Sequence, residues 1–333
     1  MKNTGEKLLE EILLRDTGKP HTLIVIGKGG VGKTTLSILS GLVYSRHGKT
    51  LVASLDPAKH MLEYLGLRKT LKVEKISDTL HAVQYDINPL AKKVAEEYAL
   101  LLRQVMPGLT ILNLDSIVKS IRYAPGFEEE IFLRILEELY SKDYDYIVID
   151  TPPTGITHRL LTLPNLYRFW ISQLYELRHK IVSLRYAMAR AMGRKEEPHD
   201  PVLRKLEELE EKYSKLWDSL RDPQRTSIMV VATPEPLPVY EAESTIELAR
   251  THGFHCRALV LNRVLDPEKA RITGLYETQV ESIRRALEIA RDCGTLTVMQ
   301  ASEAPRSLEE AKRLLDLIRR TEEVLEELLT ATI

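Results

Sequence analysis

The chain has 333 residues, 44% of them hydrophobic and 29% charged, with a formal net charge of -1. That length suits one large α/β domain carrying an insertion, or two smaller domains. The near-neutral balance argues against a whole-chain positive field that would hold nucleic acid or anionic lipid. Cys256 and Cys293 form neither a CxxC pair nor a zinc spacing. They read as free, small apolar side chains in a reduced, cytoplasmic setting. No window holds the roughly 20 apolar residues of a membrane helix, and acidic residues inside the apolar N-terminal stretch do not fit a secretory signal.

Leu8, Leu9, Ile12, Leu13 and Leu14 predict a first helix, stopped by Gly18-Lys19-Pro20. Short Val/Ile-rich runs follow at 23–26, 51–53, 146–149, 228–232, 258–261 and 296–299. Apolar on both faces and separated by helical stretches such as 36–44, 128–140 and 241–252, they predict a doubly wound, mostly parallel α/β sheet. Two regions, 91–123 and 166–222, show helical periodicity alone and read as an α-helical subdomain inserted at two places. The α/β core would then comprise 1–90, 124–165 and 223–333. The run 308–329 predicts one more amphipathic helix, whose Glu322, Glu323, Glu326 and Glu327 do not suit an anionic membrane.

The segment HTLIVIGKGGVGKTTLSIL is a buried strand, a glycine-rich turn and a helix start, and satisfies G-x-x-x-x-G-K-[ST]. Gly27, Lys28, Gly29, Gly30, Val31, Gly32, Lys33, Thr34 and Thr35 would wrap a phosphate chain with backbone N–H groups. Lys33 is expected between the β- and γ-phosphates, and the Thr34 hydroxyl on Mg²⁺. Lys28, directly after the first glycine, marks the deviant Walker A group. In that group the lysine reaches the partner subunit's nucleotide, so nucleotide state and dimerisation are coupled.

SLDPAKHML, YAPGFEEE, IVIDTPPTGITHRLLTLPN, VLNR and APRSL, taken with the inserted helices, resemble the ArsA/Get family. These are the ATPases of arsenite export and of tail-anchored membrane-protein targeting. The resemblance implies ATP and Mg²⁺ as cofactors and a homodimer, with higher oligomers open. It makes Lys28, Lys33 and Asp56 the catalytic set, with Asp56 orienting or activating the attacking water. Thr34, Asp56 and Asp150 become the magnesium set, and Thr151 to Gly155 switch II. Asn262, Pro305 and Arg306 become walls of the adenine pocket. The competing reading of Asp56 is a turn-forming residue before Pro57, and that of Asp150 a helix cap.

The chain departs from the family at Lys59-His60, at Gly155-Ile156-Thr157-His158, and after VLNR, where eukaryotic targeting members carry a zinc-binding CxxC. No zinc is expected, and a dimer would rest on nucleotide and apolar contacts. Leu160, Leu161, Leu163, Leu166, Phe169, Trp170, Leu174, Leu177, Ile181, Leu184, Met188 and Met192 suggest a groove for a client's hydrophobic transmembrane helix. Filling the subdomain's own core is the alternative. The expected function is a dimeric ATPase that shields and delivers such clients to a membrane receptor, without nucleic acid. A switch or scaffold ATPase without membrane clients is the runner-up. Arsenite pumping is disfavoured, because the pump ATPase uses a cluster of three thiols.

Overall fold

A computed structural model describes residues 4–105, 114–124, 126–193, 200–303, 305 and 307–330. Parts of the expected helical segments, 106–113 and 194–199, together with Pro125, Ala304 and Arg306, lie outside those residues. Helix α1 (Thr4–Leu14) precedes β1 (His21–Gly27) and α2 (Lys33–Tyr44). Then come β2 (Thr50–Ser54), a short α3 (His60–Leu65), β3 (Glu74–Lys75) and β4 (Leu80–Gln84). Helices α4 (Ile87–Val105), α5 (Leu114–Arg122) and α6 (Phe127–Tyr140) lead to β5 (Tyr146–Asp150). The long helices α7 (Thr154–Ala191) and α8 (Pro201–Arg221) are followed by β6 (Thr226–Ala232), α9 (Pro236–His252) and β7 (Cys256–Val264). The chain continues through α10 (Pro267–Ile272), α11 (Tyr276–Ile289), β8 (Gly294–Met299), α12 (Leu308–Arg313), β9 (Ile318–Arg320) and α13 (Thr321–Thr330).

The fold is α/β, with nine strands in the order β3-β4-β2-β5-β1-β6-β7-β8-β9. Neighbours run parallel except the outermost strands, β3 against β4 and β9 against β8. Side chains alternate across the sheet. Ile24 and Ile26 of β1 join a core with Ile131, Phe132 and Trp217, while Leu23 and Val25 pack with Leu9, Leu36 and Leu39 on the other face. Each such side chain contributes about 1.5–3 kcal/mol on burial, so both helical layers are firmly held. Strand β1 is the switch point: β5 flanks it on one side and β6 on the other, and a crevice opens beyond its C-terminal end.

Three details differ from the sequence expectation. First, the run 308–329 is not one helix. After α12 a 3-10 turn (Leu314–Leu317) delivers Ile318 to Arg320 onto the free edge of β8, and α13 follows. Pairing with an exposed strand edge satisfies backbone groups and overrides local helical periodicity. Second, β4 was not anticipated, because His81 and Gln84 interrupt its apolar pattern. Third, Cys256 and Cys293 are not free. They are joined by a disulfide, with Cα atoms 5.5 Å apart. The reason is the register: Ala258 pairs with Gly294, so cysteines 37 residues apart in sequence meet at the adjoining starts of β7 and β8. The inference of a reducing compartment from free thiols therefore loses its basis.

Candidate functional site

The phosphate loop starts where β1 ends, and packing requires glycine at two of its positions. A Cβ on Gly27 would lie 2.2 Å from the Val231 carbonyl oxygen of β6. Gly32 has φ 101°, and its Cβ would lie 2.2 Å from Asn262 Nδ2. Gly29 and Gly30 form the tip. Helix α2 begins at Lys33 with no side-chain cap, so its first N–H groups are available to an anion. Val31, Lys33, Thr34 and Thr35 are buried.

The strand register brings the acids to the loop. Val25 and Ser54 both pair with Asp150, which places Asp150 between β1 and β2 at their C-terminal ends. Its Oδ2 accepts hydrogen bonds from the Thr34 hydroxyl (2.8 Å) and the Ser54 hydroxyl (2.9 Å). Its Oδ1 is buried without a protein partner among the described residues. Burial pushes the Asp150 carboxyl up to about 6, against the Thr34 and Ser54 hydrogen bonds and the Lys33 charge. A buried carboxylate with one oxygen unsatisfied, beside a threonine hydroxyl, is a hard oxygen donor set that fits Mg²⁺. Lys33 Nζ donates to the Lys28 carbonyl (3.1 Å). Burial pulls Lys33 below the usual lysine range, opposed by Asp150, Asp56 and Glu241.

Asp56 lies just beyond β2. Its Oδ1 accepts from Ala58 N–H (2.9 Å), so the side chain shapes its own turn. Its backbone is fixed from below: Asp56 N–H donates to Ser54 Oγ (3.3 Å), and Gln84 Nε2 donates to Asp56 O (3.0 Å). Lys59 adopts φ 57° and pairs with Asp86 at 2.5 Å, while His60 is exposed at the start of α3. In the segment expected as switch II, the Thr151 hydroxyl donates to Val25 O (2.7 Å) and the Thr157 hydroxyl to Pro152 O (2.8 Å). The Thr154 hydroxyl donates to Glu241 Oε2 (3.1 Å), and His158 Nε2 meets Thr245 Oγ1 (2.9 Å). Lys28 Nζ is 3.8 Å from Glu241 Oε1.

A cavity of about 370 Å³ adjoins the loop, lined among others by Gly32, Thr35, Tyr64, Asn262, Met299 and Pro305. Asn262 is a buried lining residue with its amide partly engaged. Nδ2 donates to Val31 O (2.7 Å) and Oδ1 accepts from Arg263 N–H (3.0 Å). Asn262 therefore braces the phosphate loop as well as lining the pocket. The structure brings together Gly27 to Thr35, Asp150, Asn262 and Pro305, with Asp56 at the rim; Arg306 lies outside the described residues. Sequence reasoning did not single out Ser54, although it opens the SLDPAKHML segment, and missed Gln84, Tyr64 and Glu241; strand register places Ser54 and Gln84, α3 carries Tyr64, and the β6–α9 connection places Glu241.

A second feature lies on α7. Leu160, Leu161, Ile171, Val182 and Ala189 face inward and are buried. Leu166, Phe169, Trp170, Leu174, Leu177, Ile181, Leu184 and Met188 recur every three to four residues on the solvent side. Phe169 is 57% exposed, Trp170 58% and Met188 61%, so these side chains do not fill the subdomain's own core. Arg178 of α7 pairs with Asp200, the N-cap of α8 (2.8 Å), and Tyr167 meets Tyr213 edge-to-face, which fixes the helix pair behind the stripe.

A parallel sheet with a glycine loop at its switch point, a lysine at the loop's second position and an acid on the neighbouring strand defines a P-loop nucleotide hydrolase with a deviant Walker A loop. The profile of the anion-transporting ATPase family (ArsA type) matches residues 21–284, and the chain belongs to that family. It is 32% identical to a protein of Aquifex aeolicus named as an arsenical pump-driving ATPase, over 72% of this chain and 78% of that one. It is 27% identical to ATPase ASNA1 homolog 1 of Paramecium tetraurelia, over 80% of this chain and 82% of that one. It is also 27% identical to ATPase get3 of Pyrenophora tritici-repentis, over 81% and 79%. The chain is an ATPase, and the family uses ATP with Mg²⁺. Among the described residues no helix is long and apolar enough to cross a membrane.

Proposed function

We propose that this ATPase works as a homodimer that shields a client's hydrophobic transmembrane helix in a nucleotide-dependent cycle. The observation that carries this reading is the exposed stripe on α7. From Leu166 to Met188 it runs about 33 Å at the helical rise, close to the ~30 Å hydrocarbon core that a membrane helix spans. Contiguous exposed apolar surface of this kind marks a site that binds a partner. The tail-anchored targeting ATPases that the sequence resembles give the same reading. The disulfide between Cys256 and Cys293 leaves neither thiol to bind arsenite, which disfavours a metalloid pump.

In the ATPase step, the N–H groups of the loop and of the α2 terminus would hold the β-phosphate, with Lys33 neutralising the charge that develops between β and γ. Asp56, fixed at its backbone by Gln84 and Ser54, would orient the attacking water and accept its proton. Asp150 and Thr34 would hold Mg²⁺, which supplies charge neutralisation of the phosphate oxygens when bound. The adenine would enter the cavity between Asn262, Tyr64 and Pro305. Lys28 would contribute to the partner's nucleotide and so tie hydrolysis to dimer closure.

Co-expression with a tail-anchored protein, followed by size-exclusion with and without ATP, tests the proposal. The expected result is a soluble stoichiometric complex, lost when Phe169 and Trp170 are both changed to Asp while ATPase activity persists. ATPase activity with no client held in solution would point instead to a switch or scaffold without membrane clients.

A further inference from the structure

Among the described residues, Glu241 links Lys28, at the phosphate loop's second position, to the start of α7. Its position is fixed from below. Strand β6 is locked to β1 through Gly27 opposite Val231, and α9 begins four residues after β6 ends. Glu241 therefore stands on a helix anchored next to the loop. Its two oxygens hold two different elements: Oε1 is 3.8 Å from Lys28 Nζ, and Oε2 accepts from the Thr154 hydroxyl at 3.1 Å. One turn further along α9, Thr245 meets His158 of α7 at 2.9 Å, and its own hydroxyl donates to Glu241 O at 2.8 Å. Helix α7 is thus tied to α9 at two successive turns, and the first tie shares its carboxylate with Lys28.

We infer that Glu241 is a positioning residue for ATP turnover: it parks Lys28 away from the phosphate cradle before ATP binds, and passes the withdrawal of that lysine to Thr154 and α7. The charges explain why. Lys28 is only about a third exposed, and its pair with Glu241 is long and open to solvent, so a triphosphate readily outcompetes it. Once Lys28 leaves, Glu241 is an unpaired carboxylate close to a polyanion. Its remaining hydrogen bond, from Thr154, is then the contact that must rearrange. No other described acid is paired with Lys28 within 4 Å.

The inference rests on the nucleotide half of the proposed function and not on the client. Its readouts therefore use ATP alone and stand apart from any result with a tail-anchored protein. Glu241→Gln keeps an acceptor for Thr154 and removes the charge. Steady-state ATPase assays should show KM for ATP falling about two- to fivefold, because a weak competing pair and a nearby negative charge are gone. In the same assays kcat should fall about tenfold, because a neutral amide is not repelled by the bound polyanion and no longer passes the withdrawal of Lys28 to Thr154. A merely structural role would lower kcat and thermal stability together without lowering KM, and that outcome overturns the inference. In a Lys28→Ala background the KM effect of E241Q should shrink by at least half, whereas an undiminished effect would mean simple charge removal and also overturns it. Should E241Q fail to fold, Thr154→Val gives the second test. Losing the hydroxyl should lower kcat with KM unchanged, and wild-type kcat would sink the link to α7.

Discussion

Asp150→Asn provides a test of the site that needs no nucleotide. In the folded protein Asp150 is fully buried and its carboxyl is pushed up to about 6, while in the unfolded chain it titrates near 3.9. A raised acid binds its proton more tightly in the native state, so native stability falls as pH rises from about 4 to about 6, and the loss persists above. Two pKa units amount to about 3 kcal/mol. Asparagine keeps one acceptor for Thr34 and Ser54 and removes the ionisation. It also places an N–H₂ where Oδ1 is unsatisfied, at a penalty of about 1–3 kcal/mol that does not depend on pH. The pH-dependent part can therefore be isolated. Relative to wild type, the variant should gain about 2 kcal/mol between roughly pH 4.5 and pH 7.5. Urea unfolding of both proteins at the two pH values measures it, because shifts common to both cancel. A difference that is the same at both pH values would refute the argument that Asp150 is a desolvated acid. In a separate measurement, Mg²⁺ with ADP should raise the midpoint of the wild type by more than that of the variant, whose loop and adenine cavity still hold the nucleotide.

Two further outcomes follow from the same geometry. Asp56→Asn should leave ATP affinity within about twofold, because the turn to Ala58 survives with an amide oxygen, and should reduce turnover at least a hundredfold. Nucleotide titration beside single-turnover hydrolysis separates the two effects. Asn262→Ala removes the donor that holds the Val31 carbonyl, leaving a buried acceptor unpaired; thermal unfolding should register a loss of about 1–3 kcal/mol, with weaker ATP binding.

The phosphate loop was legible because its demands are local. Close backbone approach at Gly27 and a positive φ at Gly32 leave only glycine acceptable, and the lysine and threonine follow at fixed spacing. Asp150 was legible as a polar residue ending an apolar strand, and Asn262 through the family resemblance of its VLNR segment. Ser54, Gln84 and Glu241 were not, since a serine, a glutamine and a helical glutamate are individually commonplace. Their importance arises from which strands adjoin: Ser54 opposite Asp150, β4 beside β2, and β6 beside β1. The same cause hid the strand at 318–320 and the pairing of Cys256 with Cys293, both of which depend on neighbours remote in sequence. The composition of α7 showed that it is apolar, but could not show which of its faces the α8 partner would leave uncovered.

Helix α7 also has a mechanical consequence. It starts at Thr154, in the segment proposed as switch II, and continues for 38 residues, about 57 Å. Pro164, three turns in, removes one backbone hydrogen bond and is the natural pivot of this rod. A tilt of only 10° or so about that point would swing the far end by about 7 Å, more than the diameter of a side chain. In the proposed cycle the helix would act as a lever arm, with about 15 Å on the phosphate side of the pivot and about 41 Å beyond it, so a shift at Thr154 would reach the far end magnified about threefold.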